Sequence, residues 1–279
     1  MRNTKQVIGI AHRGASYFAP ENTAASFKAA KKTRIDGVET DVHLTEDKVP
    51  VIHHNYTVDS TSNGSGYIHE MTYEELSALD FGSYKGKEFA GEKILTLDEF
   101  LSLAEGFDVV NIELKAQVVK EKDFVPIVLS CVERSKVKDH VIFSSFDPDL
   151  LYQVKKINAE YRVGLLTNPE TRKGMMPEMA ASFIAMMPEA VPNVDRILDS
   201  IPFVEKSQVE VVDSLPFKID YLHPAYTSVL NHPELVEEMH ERSIGVNVWT
   251  CDQAEEMKQL KNLGVDGIIT NRPDIFMKG

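Results

Sequence analysis

His12 and Arg13 stand directly after a short apolar run, Val7-Ile8-Gly9-Ile10-Ala11, and are followed by Gly14. A run of that kind reads as a buried strand, so its polar end delivers a proton-transfer group and a fixed cation to one edge of a sheet. Glu39 and Asp41 close a second apolar strand and, being two residues apart, share a face. Two carboxylates converging there repel each other unless a cation sits between them. Glu113 ends a third strand in the same way, with Lys115 at the same two-residue spacing. Three carboxylates from neighbouring strand ends make a hard, oxygen-rich site, suited to Mg²⁺ or Ca²⁺ rather than to a soft metal. His53 and His54 follow an extended segment, and one of them is available as a second proton carrier facing His12. Trp249, the single tryptophan, ends a later strand, where it either lines a pocket or fills the core.

The elements that must position these groups recur regularly. Apolar strands are predicted at residues 7–11, 37–42, 109–114, 141–145, 162–166, 219–222, 245–249 and 267–270. Helical patterns fall at residues 23–32, 96–104, 125–135, 148–157, 233–241 and 252–263. Alternation of this length predicts an α/β chain closed into a (β/α)₈ TIM barrel. The alternative, an open doubly wound sheet, is disfavoured because no Gly-rich dinucleotide fingerprint or phosphate-cradling P-loop is present.

Two stretches exceed what a barrel connection needs. After strand 2 comes an extended segment at 48–54, then residues 55–93, rich in Gly, Ser, Thr and Tyr, with a small helix at 72–79. These residues read as a small insertion. Thr96, with Glu99 three residues on, predicts a capping box where the barrel pattern resumes. Between strands 5 and 6, residues 167–218 form an extended segment containing Met175, Met176, Met179, Met186 and Met187. It reads as an extra helical pair packed on the barrel exterior, with a pliable apolar lid as the alternative. His223, at the end of strand 6, is expected near the barrel mouth.

At 279 residues, 43% hydrophobic and 26% charged, the chain suits one large core, and residues 1–279 are read as a single domain. A formal charge of −13 argues against nucleic acid and against docking on anionic membranes through a basic face. An anionic substrate therefore needs a local positive site set against the global field. Cys131 and Cys251 make no ligand or redox spacing and read as buried free thiols. The N-terminal apolar run is too short for a signal-peptide core or a membrane span, which predicts a cytoplasmic protein with no stable membrane anchor.

Taken in order, several motifs resemble those of the glycerophosphodiester phosphodiesterase family. They are His12-Arg13-Gly14, Pro20-Glu21-Asn22-Thr23, Glu39-Thr40-Asp41, His54 before Asp59, Glu113-Leu114-Lys115, Val246-Asn247-Val248-Trp249-Thr250 and the closing Gly264 to Asp274 run. The resemblance spans strand 1 to strand 8 and thins between Asn168 and Pro216. It implies a barrel with a small insertion after strand 2 and metal-dependent hydrolysis of a small-molecule glycerophosphodiester to glycerol 3-phosphate and an alcohol. It further implies His12 and His54 as the acid–base pair, with Arg13 and Lys115 on the phosphate. Glu39, Asp41 and Glu113 would hold one divalent cation, Mg²⁺ or Ca²⁺, and an aromatic near Trp249 would line the glycerol pocket. His54 is preferred to His53 because it keeps the family's five-residue step to Asp59. Two positions depart from the pattern: Asn55 stands where Asp is usual, and Leu95 where Pro is usual. Asn55 can orient a neighbouring imidazole but cannot add charge to raise its pKa. The rival readings are a phosphodiesterase of the same fold acting on lysophospholipids or phosphoinositol head groups, and a weakly catalytic barrel that binds phosphodiesters. A homo-oligomer is compatible with the sequence.

Overall fold

The computed structural model describes residues 6–117, 122–168 and 207–278. Its strands are β1 (Ile8–Ala11), β2 (Gly37–Leu44), β3 (Pro50–Ile52), β4 (Leu95–Thr96), β5 (Val109–Leu114), β6 (Val141–Ser145), β7 (Arg162–Thr167), β8 (Tyr221–Pro224), β9 (Gly245–Val248) and β10 (Gly267–Thr270). All but β3 and β4 run parallel, in the order β1-β10-β9-β8-β7-β6-β5-β2. β1 pairs with β10 on one side and, through Ile10 opposite Gly37, with β2 on the other, which closes eight strands into a barrel and excludes the open sheet.

Alternation along the strands feeds two separate cores. Val110, Ile112 and Leu114 of β5 face outward and join the large cluster beneath the helices. Inside the barrel, Ile10, Val109, Ile142 and Ile269 form a small apolar cluster. The remaining interior is polar, with Asn111, Ser144, His223 and Asn247 all buried. Glycine makes room for these groups: a Cβ on Gly164 would sit 2.6 Å from His223 Nε2, and one on Gly267 would sit 2.5 Å from Asn247 Oδ1.

β2 runs past the barrel rim, and β3 pairs antiparallel with its end, His43 opposite Val51; β4 then pairs with β3. The insertion hangs from this ribbon on its own apolar nucleus of Val51, Val58, Ile68, Leu76, Phe81 and Ile94. Local signals start the helices as the sequence implies. Thr23 caps α1 (Ala24–Thr33), Thr72 caps α2 (Tyr73–Ala78) and Thr96 caps α3 (Leu97–Leu103), each in a reciprocal capping box.

Two expectations need correction. The strand predicted at residues 219–222 lies at Tyr221–Pro224, because Ile219 packs into the outer core while Tyr221 and His223 fill the interior. The short helices Tyr226–Asn231 and Pro273–Phe276 lie outside the expected helical patterns, since four to six residues hold too little of a helical repeat to register, whereas Gln208–Asp213 falls within the segment expected to be helical. The five methionines of the long segment lie outside the described residues. Cys131 and Cys251 are buried and free. Among the described residues no helix is long and apolar enough to cross a membrane.

Candidate active site

A cavity opens at the C-terminal ends of the strands, where His12, Arg13, Glu39, His54, Glu113, Lys115 and Trp249 all line it. Each arrives by a local device. The His12 amide donates to Thr270 O at 2.8 Å, continuing the β1–β10 ladder one residue past the strand. The chain then turns through left-handed Arg13 and Gly14, at φ 55° and 80°. Gly14 is required there, since a Cβ would lie 2.6 Å from the Ser26 carbonyl carbon. The turn aims the Arg13 amide at Glu39 Oε2, 2.9 Å away.

Glu39 and Asp41 project from β2, and Asp41 is in register with Glu113 of β5. One oxygen from each of the three carboxylates falls within 4.8 Å of the others. Lys115 Nζ bridges Asp41 Oδ1 and Glu113 Oε1 at 2.8 Å each. Arg13 pairs with Glu21 at 2.8 Å and lies 3.5 Å from Asp41, whose Oδ2 also accepts from Asn22 Nδ2 at 2.9 Å. Burial alone would raise Asp41, but Lys115, His54 and Arg13 hold it well below the usual carboxylate range. Glu39 goes the other way: burial, then Asp41 and Glu113, push it well above that range. The donor set therefore fits a divalent cation, being all hard oxygen with one carboxylate whose charge its neighbours leave uncompensated.

The adjacent histidines separate cleanly. His53 donates from Nδ1 to Asn55 O at 2.8 Å and accepts at Nε2 from the Thr61 hydroxyl at 2.7 Å, so both ring nitrogens are consumed inside the insertion. His54 donates from Nδ1 to Asn55 Oδ1 at 2.8 Å, while the Asn55 amide donates to Ser60 Oγ. Its ring lines the cavity. Across the mouth, His12 donates from Nδ1 to Asn271 Oδ1 at 2.7 Å, with Nε2 3.9 Å from Glu39 Oε2. Burial, then Arg13, lowers His12 to about 4; burial, then Lys115 and Arg13, lowers His54 well below its usual value. Both shifts favour the neutral imidazole in the free site.

The glycerophosphoryl diester phosphodiesterase family model matches residues 12–275. The chain belongs to this family. It is 35% identical over 273 residues to a glycerophosphodiester phosphodiesterase of Caldanaerobacter subterraneus subsp. tengcongensis, covering 98% of this chain and 97% of that one. Among solved structures it resembles an Oleispira antarctica phosphodiesterase in complex with the product sn-glycerol-3-phosphate, at 25% identity and TM-score 0.77, covering 97% of this chain and 95% of the other. It also resembles the Thermotoga maritima glycerophosphodiester phosphodiesterase, at 25% identity and TM-score 0.68, covering 98% of each chain. As a glycerophosphoryl diester phosphodiesterase family member, the protein is a phosphoric diester hydrolase.

Some cavity residues of this phosphodiesterase escaped the sequence reading. Phe146 meets Trp249 edge to face, ring centres 5.5 Å apart, and with Leu166 and Ile269 completes an apolar wall. The alternation Ile142, Ser144, Phe146 was the available signal, but Phe146 falls beyond the apolar run. Asn111 and Ser144, hydrogen-bonded at 2.8 Å, line the cavity as well. Trp249 lines the cavity, and its Nε1 donates to His223 O at 2.8 Å. His223 itself is not at the mouth. Its side chain is fully buried, with Nε2 3.2 Å from Asn247 Nδ2.

Proposed function

We propose that this phosphodiesterase hydrolyses glycerophosphodiesters to glycerol 3-phosphate and a free alcohol, with His12 and His54 as proton carriers. Glu39, Asp41 and Glu113 would hold one divalent cation, Mg²⁺ or Ca²⁺. The observation that carries this reading is the convergence on one cavity of two Nδ1-anchored imidazoles, two cations and the carboxylates Glu39 and Glu113, with Asp41 buried beside them.

A phosphodiester is anionic, so a nucleophile approaches it against a repulsive field. Arg13 and Lys115 face that charge from the cavity wall and stabilise it as it builds on the phosphoryl oxygens. When bound, the cation supplies further neutralisation and a template for the phosphate. Arrival of an anion beside two buried neutral imidazoles raises their pKa values, so one can carry a proton while the other accepts one. One histidine takes a proton from the attacking hydroxyl, and the other protonates the leaving alcohol. By family resemblance the first attacker is the neighbouring glycerol hydroxyl, and water then opens the cyclic phosphate. Trp249 and Phe146 present the apolar surface against which the carbon skeleton of glycerol rests.

Product analysis on a panel that includes glycerophosphocholine and lysophosphatidylcholine, with each metal, tests the proposal. Glycerol 3-phosphate release from glycerophosphocholine is expected with at least one metal and not after chelation. Glu113→Gln should raise the metal concentration needed for half-maximal rate by about 10-fold or more. Failure to release glycerol 3-phosphate with either metal would overturn the reading, and preference for lysophosphatidylcholine would move the substrate to the lysophospholipid class.

A further inference from the structure

The strand that closes the barrel carries a second contact to the reaction centre. Asn271 follows β10, and its Oδ1 accepts two hydrogen bonds, from His12 Nδ1 at 2.7 Å and from the Ser16 hydroxyl at 2.7 Å. Its amide nitrogen points the other way, donating to Asp252 Oδ2 at 2.8 Å. Asp252 is fixed in turn, because Oδ1 accepts from the Asn271 backbone amide at 2.8 Å and from the Thr270 hydroxyl at 2.9 Å. An amide side chain can turn over, exchanging its oxygen and nitrogen. Here it cannot, since the turned form would set its oxygen against the Asp252 carboxylate and its NH₂ against His12 and Ser16.

We infer that Asp252 and Asn271 are positioning residues that lock His12 in the Nδ1–H tautomer and leave Nε2 as the atom that exchanges protons with substrate. This rests on the assignment of His12 as a proton carrier. Asp252 acts without touching the imidazole: its carboxylate selects the face of Asn271, and Asn271 selects the protonated nitrogen of His12. On the opposite side of the cavity, His54 is held by the same device, with the Ser60 hydroxyl where Asp252 stands. A carboxylate holds the amide more firmly than a hydroxyl, which could itself donate, so the His12 side is the more rigid of the two.

The test is a charge-only change. Asp252→Asn keeps the shape but sets two NH₂ groups face to face, and Asn271 relieves this by turning over. Its NH₂ then meets His12, which must accept at Nδ1 and carry its proton on Nε2. Long-range proton–nitrogen spectra of the histidine rings, with His12 identified by its loss in His12→Ala, should show Nδ1–H in the wild type and Nε2–H in Asp252→Asn. The turnover number should fall about 10- to 100-fold in Asp252→Asn with KM little changed. Exchanging the pair, Asp252→Asn with Asn271→Asp, again offers His12 an acceptor and should restore the Nδ1–H form and much of the rate. An Nε2–H tautomer in the wild type, or an unchanged tautomer in Asp252→Asn, overturns the inference. Undiminished turnover in His12→Ala instead overturns the assignment of His12 as proton carrier, while the ring spectra still decide the tautomer lock.

Discussion

His53 and His54 are neighbours in sequence with opposite fates, and only the geometry around them separates their chemistry. His53 is tied at both nitrogens, to Asn55 O and Thr61, and packs edge to face on Phe81. His53→Ala should therefore cost stability, on the order of 1–3 kcal/mol for the unsatisfied groups it leaves, while the turnover of the folded protein stays within a few-fold of wild type. His54→Ala should leave the melting temperature nearly unchanged and lower turnover by about 10²- to 10⁴-fold. The reverse pattern in paired melting and rate measurements would exchange their roles. At this scale the charged groups were the legible ones. Glu39, Asp41, Glu113 and Lys115 stand out because charge at the end of an apolar strand is conspicuous in sequence. Phe146 and Asn271 are not conspicuous: an aromatic and an amide near strand ends look like ordinary core and turn residues until a cavity and a partner are seen beside them.

Among the elements, those with a local cause were readable in advance. Thr96 with Glu99 gives a capping box by spacing alone, and the reciprocal bonds form at 3.2 and 2.8 Å. The register of β8 was not readable, because an apolar run marks what faces the helices, whereas the interior of this barrel is partly polar. Tyr221 and His223 fill it, and the counterpart of that choice lies on the neighbouring strand. Gly164 leaves the space the His223 ring occupies, and a Cβ there would come within 2.6–2.9 Å of three ring atoms. The ring is fully buried and cannot swing aside. Gly164→Ala should accordingly destabilise the protein by about 1–3 kcal/mol, read as a lower urea midpoint. An unchanged midpoint would mean that the interior has slack the packing does not reveal.

For the molecule as a whole, eight strands interspersed with helices were enough to expect a barrel, but closure depends on a pairing between the first strand and the last that no local pattern encodes. Burying histidines inside it gives the fold a definite response to acid. Burial lowers His223 from an ordinary value of 6.5 to about 3. Between those values the unfolded chain binds a proton that the native ring refuses. Stability is therefore full above pH 6.5 and drains as pH falls toward 3, by at most about 1.4 kcal/mol per pH unit from this ring. Urea midpoints at pH 7 and pH 5 should differ less in His223→Gln than in wild type, and an equal difference would remove His223 as a source of acid sensitivity. The ribbon that carries the insertion has a different consequence. His12 is mounted on the main body, whereas His54 follows a three-residue strand in which Ile52 packs into the barrel core and Val51 into the insertion's nucleus of six buried side chains. The two proposed proton carriers thus stand on parts of the molecule held by unequal amounts of buried apolar packing.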